Sequence, residues 1–224
     1  MNKVFLIVAA HPDDEILGCG ASAARLVDEG WTGYALILGR GKGARGEQEL
    51  KHCSELEKET EAARKIIGLQ EIFMCDFSDN AFDSVPLLNI IREVEHIKEK
   101  IQPSRIFTHY PGDLNIDHSI TFRAVLTATR PMQGEPVREI LSFEIPSSTE
   151  WSSFRRETVF VPNVFIDVSN VLQRKLDAMG SYLSELREYP HPRSLKYLEE
   201  HARHLGAKIG LNAAEGFQLI RNII

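Results

Sequence analysis

Three side chains that can bind a metal or move a proton follow the first apolar stretch of the chain. His11, Asp13 and Asp14 come directly after residues 4–8, which read Val-Phe-Leu-Ile-Val. A short apolar run rich in branched residues is typical of a strand that is buried on both faces of a parallel sheet. Open α/β sheets keep their active sites at the carboxyl ends of such strands. The spacing therefore predicts a site here.

The chemistry of these side chains favours a divalent metal. Imidazole and carboxylate groups together form a typical ligand set for zinc or a similar ion. With His11 and Asp14 as ligands, the neighbouring Asp13 is free to act as a base on metal-bound water. A strand followed by a helix cap is the simpler interpretation, because Asp is a good N-cap residue and Pro12 is tolerated at a helix start. The spacing alone leaves both interpretations open.

A second polar cluster follows a later strand pattern. Residues 105–109 read Arg-Ile-Phe-Thr-His, and Asp117 and His118 lie in the segment after them. Parallel strands that lie side by side end at the same edge of the sheet, so His118 can come close to His11 and Asp14. Two His and one Asp leave a position for water, as in catalytic zinc sites. An isolated Asp-His pair is also common as a helix cap.

Apolar periodicity predicts the elements that carry these residues. Helices are predicted at 16–29, 47–67, 87–101, 121–128 and 171–188, and strands at 4–8, 31–38, 72–76, 105–109 and 164–168. The stretch 140–151 is predicted to be a strand that breaks into a Ser/Thr loop. The helix at 171–188 is predicted to follow a capping Ser169. The β-α-β order at the start of the chain predicts a parallel sheet.

Both motifs resemble the signature of a known enzyme family. The segment His11-Pro12-Asp13-Asp14-Glu15 after an N-terminal strand, and the later segment that ends in Asp117-His118, are similar to the motifs of PIG-L/LmbE-like zinc-dependent N-deacetylases. A weaker match, Ala-Glu-x-Phe at 214–217, lies near the C-terminus. The resemblance implies a three-layer, Rossmann-like, mostly parallel α/β sheet flanked by helices. We expect residues 1–224 to form one domain.

The resemblance also implies a role for each motif residue. His11, Asp14 and His118 would bind zinc, and the same ligand set accepts other divalent metals such as Fe2+ or Co2+. Asp13 would act as general base and deliver the proton to the leaving amine. The implied reaction removes the acetyl group from an N-acetylglucosamine-type amino sugar or its conjugate.

One position departs from the family pattern. Many bacterial relatives carry His where this chain has Asn115, and that His assists the reaction as an acid or oxyanion stabiliser. Asn115 has no ionisable ring, although its amide can hydrogen-bond an oxyanion. Asp117 loses the imidazole that it orients in those relatives. Either Asp13 does both jobs, or another His supplies the acid. His191, held between two prolines, is the candidate, with a packed connector between helices as the alternative.

Three residues are candidates for substrate binding. Arg45 lies in the basic, glycine-rich segment 39–46, which lacks the glycine spacing of nucleotide-binding loops but could meet a hydroxyl-rich or phosphate-bearing substrate. Asp79 resembles the family position whose carboxylate meets sugar hydroxyls. Arg193 lies two residues after His191. A solvated loop, an Asp-Asn turn and a connector between helices are the respective simpler interpretations.

The whole chain limits the classes of partner. Its 224 residues are 43% apolar and 26% charged, which is ordinary for a globular protein with a full core. A net charge of −6 argues against a general nucleic-acid or anionic-membrane binder. The first apolar run is too short to span a membrane and no signal peptide is evident, so we expect a cytoplasmic protein. The three cysteines lack Cys-x-x-Cys spacing and are expected to be reduced.

Two other functions compete with a deacetylase acting on a small N-acetylated sugar. A catalytically silent metal- and sugar-binding protein of the same fold is favoured by Asn115. A metal-dependent phosphate-ester hydrolase is suggested by the basic loop, but such enzymes usually need more carboxylates and a second metal. Family members are often trimers or hexamers, so the resemblance allows a homo-oligomer, although no stretch of this chain requires one.

Overall fold

The computed structural model describes residues 2–40, 47–152 and 159–224. In the second range, side chains are described from residue 54 onward. One sheet organises these residues. In these ranges its strands are β1 (Val4–Ala9), β2 (Thr32–Gly39), β3 (Glu71–Phe77), β4 (Arg105–His109), β5 (Glu139–Phe143), β6 (Val164–Asp167) and β7 (Ala214–Asn222). Their spatial order is β3-β2-β1-β4-β5-β7-β6. The first five are parallel, whereas β7 runs antiparallel to β5 and β6.

Helices cover both faces of this sheet. They are α1 (Asp14–Asp28), α2 (Glu47–Ile67), α3 (Leu87–Ile101), α4 (Ile116–Ala128), α5 (Leu172–Met179) and α6 (Leu195–Lys208), with a short 3-10 turn at Phe82–Ser84. Buried residues of α1, α2, α5 and α6 form one core, and those of α3 and α4 form the other. None of the helices in the described part of the chain is long and apolar enough to cross a membrane.

The first strand is central because both of its faces are apolar. Phe5 and Ile7 point into the core under α1, and Leu6 and Val8 into the core under α3 and α4. All four are fully buried, as is typical of a parallel strand with helices on both sides. The predicted fold class, a three-layer, mostly parallel α/β sheet, is confirmed.

The strand order reverses at β1. The chain passes outward from β1 to β2 and β3, and then returns to place β4 on the other side of β1. Such a reversal opens a crevice at the carboxyl ends of the two central strands, where ligands bind in open α/β sheets. Those ends are Ala9 and His109. The two motifs therefore start on either side of one crevice.

The prediction of a helix at 171–188 was wrong in length. Helix α5 spans only Leu172–Met179, and its N-cap is Val171 rather than the predicted Ser169. The hydroxyl of Ser169 instead donates to Asp167 Oδ1 at 2.6 Å.

The segment that follows α5 is shaped by tertiary hydrogen bonds instead of helical ones. Residues 180–194 connect α5 to α6. In this connector, the Tyr182 hydroxyl donates to Glu15 Oε1, and Ser184 Oγ donates to Glu59 Oε2 at 2.9 Å. These bonds tie the connector to α1 and α2, so tertiary contacts override the local helical pattern.

The helix after β4 begins earlier than the predicted residue 121. Helix α4 starts at Ile116, because the Asn115 side chain caps it by accepting a hydrogen bond from the Asp117 amide at 2.9 Å. His118 consequently lies in the first helical turn rather than in a loop.

We predict that the absence of a side chain at Gly18 allows α1 to approach the sheet closely. A Cβ added here would lie 2.3 Å from Cδ2 of Phe143, a fully buried ring at the end of β5. Gly18→Ala should therefore lower the unfolding free energy by about 1–3 kcal/mol through overpacking, measured by urea unfolding. Gly20→Ala is the matched control in the same helix, because its added carbon would lie 3.1 Å from the nearest atom. Unchanged stability of Gly18→Ala would contradict this account.

Candidate metal centre

The three predicted ligands lie together. His11 Nδ1 is 3.2 Å from Asp14 Oδ2, and His118 Nε2 is 3.4 Å from the same oxygen. One ligand atom from each residue lies within 4.8 Å of the other two. Asp14 and His118 are buried, and His11 is partly exposed. One ion in contact with all three is therefore sterically reasonable.

A tight turn after β1 brings two of these ligands into position. The His11 amide donates to Asp14 Oδ2 at 2.9 Å, and the Asp14 amide donates to the His11 carbonyl at 3.3 Å. Asp14 is the first residue of α1, and His118 lies in the first turn of α4. Two of the three predicted ligands thus lie at the starts of helices that follow neighbouring strands, and His11 lies in the turn before α1.

The donor set fits a divalent ion. Among the described residues, Asp14 Oδ1 and His118 Nε2 are buried and have no hydrogen-bond partner. Buried polar atoms are normally hydrogen-bonded, and an unsatisfied one costs free energy. Two imidazole nitrogens and a carboxylate, with unsatisfied atoms among them, are what a zinc-type site provides.

Carboxylates contact the outward-facing nitrogen of both ligand imidazoles. His11 Nε2 lies 3.0 Å from Asp117 Oδ2 and 2.7 Å from Asp79 Oδ1. His118 Nδ1 lies 3.1 Å from Asp113 Oδ1. Such partners set the tautomer and orientation of a ligating histidine. Asp117 therefore has an imidazole partner in His11, although position 115 no longer supplies one.

Burial and the closeness of carboxylates to imidazoles set the pKa values in the cluster. Burial raises the pKa of Asp14, but the charge of the His118 imidazole and the contacts with His11 and His118 outweigh burial and hold this pKa well below its usual range. Burial lowers the pKa of His118, whereas Asp14 and Asp113 raise it by more, to about 9. Neighbouring carboxylates likewise raise the pKa of His11 against the effect of burial. A bound cation would take the place of these protons.

Sequence reasoning missed His109, the last residue of β4. Its ring is fully buried and stacks on that of His118, with centroids 4.0 Å apart and planes at 15°. Its Nε2 accepts a hydrogen bond from the Ala10 amide at 2.8 Å. Burial and the nearby His118 hold the pKa of His109 well below its usual value, so the ring is neutral. A histidine at the end of an apolar strand was the available signal.

Asp13 lies beside the cluster and contacts a guanidinium. It is the N-cap residue of α1, but its carboxylate makes no capping hydrogen bond. Instead, Oδ2 accepts a hydrogen bond from Arg193 Nη1 at 3.1 Å. Burial raises the pKa of Asp13, and Arg193 opposes that rise. Its φ of 96° lies in a region that non-glycine residues rarely adopt.

A cleft of about 220 Å³ opens next to the cluster. Its described lining consists of His11, Pro12, Asp13, Leu56, Asp79, Asn80, Asn115, Glu185 and Arg193. Two of the residues predicted to bind substrate, Asp79 and Arg193, are therefore brought to the cleft. Arg45 lies outside the described residues.

The side-chain amide of Asn115 already takes part in hydrogen bonds within the protein. Besides capping α4 with Oδ1, it donates from Nδ2 to Asn80 Oδ1 at 3.1 Å. Since an amide nitrogen carries two hydrogens, one remains for a ligand in the cleft.

His191 lies apart from the cluster. Its Nδ1 accepts a hydrogen bond from the Arg193 amide at 3.1 Å, and its ring packs edge-on against Trp151, with centroids 5.7 Å apart. In the described part of the chain, no hydrogen bond or ion pair joins its side chain to Asp13 or to the three clustered ligands. The geometry thus gives its predicted role as an acid no support.

Known proteins with a similar sequence or fold include deacetylases. The chain is 27% identical over 194 residues to a Bacillus cereus protein described as a probable N-acetyl-alpha-D-glucosaminyl L-malate deacetylase 2, which covers 83% of this chain and 84% of the relative. The structure of N,N'-diacetylchitobiose deacetylase from Pyrococcus horikoshii matches with a TM-score of 0.78 at 19% identity, covering 98% of this chain and 84% of that one.

The fold by itself also accommodates a different reaction. GalB, the 4-carboxy-2-hydroxymuconate hydratase of Pseudomonas putida KT2440, matches with a TM-score of 0.76 at 19% identity, over 100% of this chain and 98% of its own. Likeness at this level of identity shows the fold alone, and function has to be argued from the site.

The sequence model of one protein family matches this chain. The model described as PIG-L, GlcNAc-PI de-N-acetylase, matches residues 6–129, which is more than half of the chain. The matched range contains His11, Asp13, Asp14 and His118. The chain therefore belongs to the PIG-L family.

Proposed function

We propose that this protein is a metal-dependent hydrolase that removes the acetyl group from an N-acetylglucosamine-type amino sugar or its conjugate. One observation carries the proposal: a buried carboxylate, Asp13, stands beside three ligand atoms that lie within 4.8 Å of one another, at the edge of a cleft. The sequence relative from Bacillus cereus, described as a probable deacetylase, supports the same reaction class.

Three residues would hold the metal. His11, Asp14 and His118 supply the ligand atoms, and zinc is the ion that the family resemblance implies, with Fe2+ and Co2+ as alternatives. When bound, such an ion polarises an amide carbonyl and lowers the pKa of water. Asp113 and Asp117, which contact the other nitrogen of His118 and of His11, would orient the two imidazoles for binding such an ion.

Asp13 moves the protons in this proposal. Its carboxylate takes a proton from the attacking water and then gives it to the amide nitrogen, so that the C–N bond breaks and acetate and an amine leave. Arg193 stabilises the ionised form of Asp13 at the start of this cycle. Because no hydrogen bond or ion pair among the described residues joins His191 to the cluster, Asp13 acting as both base and acid is the simplest assignment.

Asn115 and the cleft would hold the substrate. The free hydrogen of Asn115 Nδ2 can be donated to an oxyanion, although more weakly than an imidazolium would donate. Asp79 and the neighbouring Asn80 offer acceptors to sugar hydroxyls. The described lining carries the carboxylates of Asp13, Asp79 and Glu185 and the guanidinium of Arg193.

One observation favours a second candidate, a catalytically silent metal- and sugar-binding protein. Asn115 has no ionisable group, and its amide is partly used in capping α4 and in bonding Asn80. Acetate release from a panel of N-acetylglucosamine compounds separates the two candidates. The enzyme releases acetate when loaded with zinc, whereas the silent protein binds the same compounds and releases none.

We predict that Asp13→Asn keeps the metal and loses turnover. The amide has the same shape but cannot accept the proton of water, so kcat should fall by about 10²–10⁴-fold. Acetate release and metal content per chain are measured on the same preparation. Turnover near the wild-type rate would show that another group is the base.

We predict that His118→Ala abolishes stoichiometric metal binding. Removing one of three protein ligands leaves a set too small to hold the ion through dialysis. Elemental analysis of protein purified without chelators or nickel resin measures the loss, and circular dichroism checks the fold. His204→Ala is the matched control, because His204 is exposed on α6. Equal metal content in the two variants would remove His118 from the site.

A further inference from the structure

One segment of the chain reaches Asp13 by two routes. In the connector 180–194, Arg193 Nη1 donates to Asp13 Oδ2 at 3.1 Å. In the same connector, the Tyr182 hydroxyl donates to Glu15 Oε1. The other oxygen of Glu15 accepts the Asp13 amide hydrogen at 3.1 Å. The connector thus contacts the carboxylate of Asp13 directly and its backbone through Glu15.

The guanidinium on this route is itself held in place. Arg193 Nη1 also donates to Glu185 Oε2 at 3.0 Å, and its Nε donates to Ser147 Oγ at 2.9 Å. Ser147 follows β5, so the partners of Arg193 come from three separate parts of the chain. A planar guanidinium with three fixed partners has little freedom to turn away from Asp13.

The connector is also firmly attached to the body of the protein. Tyr182 is fully buried, and Ser184 Oγ donates to Glu59 Oε2 on α2 at 2.9 Å. Contacts to α1 and α2 therefore fix the segment from which Arg193 projects.

Asp13 is a residue that needs such support. Its φ of 96° is a strained conformation for a residue with a side chain. Strained residues persist only where their surroundings over-determine them, and they concentrate at functional sites. The backbone bond to Glu15 and the side-chain bond to Arg193 are constraints of this kind.

Two residues of these supports, Tyr182 and Arg193, lie outside the range that the family model matches. The family model matches residues 6–129, so it includes Asp13 and Glu15 but ends before Tyr182 and Arg193. The motif supplies the carboxylate, and a later part of the chain holds it.

We propose that residues 180–194 form a brace for Asp13. In this brace, Arg193 fixes the carboxylate and Tyr182 fixes the backbone through Glu15. Both are positioning residues, and neither takes part in the chemistry. The inference rests on the proposed role of Asp13 as general base.

The kinetic test uses Arg193→Ala and added guanidinium. Because a small misplacement of a reacting group can cost about 10²-fold in rate, kcat should fall by about that factor. KM and metal content should stay unchanged. Guanidinium ion, at concentrations well below those that unfold the protein, should restore part of kcat by occupying the vacated site. A purely structural arginine would not be rescued in this way.

The matched control is Arg174→Ala. Arg174 donates to Asp28 Oδ1 at 2.7 Å and to the Ile66 and Ile67 carbonyl oxygens, so it makes ion-pair and backbone bonds without contacting Asp13. This variant should lose thermal stability, keep its kcat and show no response to guanidinium.

A second measurement does not depend on activity. Hydrogen–deuterium exchange of the metal-free protein, followed by mass spectrometry, reports on the peptide that covers residues 10–17. In Arg193→Ala and in Tyr182→Phe, which keeps the buried ring, this peptide should exchange faster, while peptides from the strands of the sheet should not. Arg174→Ala should leave it unchanged.

The outcomes separate the brace from the proposed function. Unchanged exchange in both variants, with kcat within twofold of wild type, would overturn the brace and leave the deacetylase proposal intact. Full turnover by Asp13→Asn would overturn the role of Asp13 as base. Exchange would still show whether the connector holds this residue.

Discussion

The burial of Asp14 is the constraint on which the site depends. Its carboxylate is fully buried at the carboxyl end of β1, and a carboxylate removed from water is stable only with close positive partners. Protonated His11 and His118 provide that charge in the metal-free chain, and a divalent ion would provide it in the loaded one. The sheet delivers both imidazoles because β1 and β4 are neighbours at the point where the strand order reverses.

Other polar groups surround Asp14 and its imidazole partners. His118 faces Asp113, whose oxygens accept hydrogen bonds from the hydroxyls of Ser148 and Thr149 in the loop after β5. The carboxylate that faces His118 is thus itself hydrogen-bonded by two hydroxyls, as a member of a buried polar network needs to be. The loop after β5 consequently helps to support the proposed metal centre.

The sequence predicts the parts of this arrangement that local pattern determines. An apolar strand followed by His11, Asp13 and Asp14 indicates both the sheet and the site, because strand ends and ligand types are readable over a few positions. The pairing of Asp13 with Arg193 joins residues 180 positions apart, and no local pattern encodes it. The same limit explains the error in α5, whose helical pattern continues past Met179 while tertiary bonds end the helix.

Having Asn115 in place of an imidazole gives a chemical reason for the bonds that fix Asp13. In a site with a separate acid, the base takes part in one proton transfer, so its position affects one step of the reaction. With Asn115 in place of that acid, the proposed reaction leaves Asp13 to accept the proton from water and to deliver it to nitrogen. Both transfers need hydrogen-bond geometry from the same carboxylate. A chain that relies on one group for two steps gains more from fixing it, and the bonds from Arg193 and Glu15 do so.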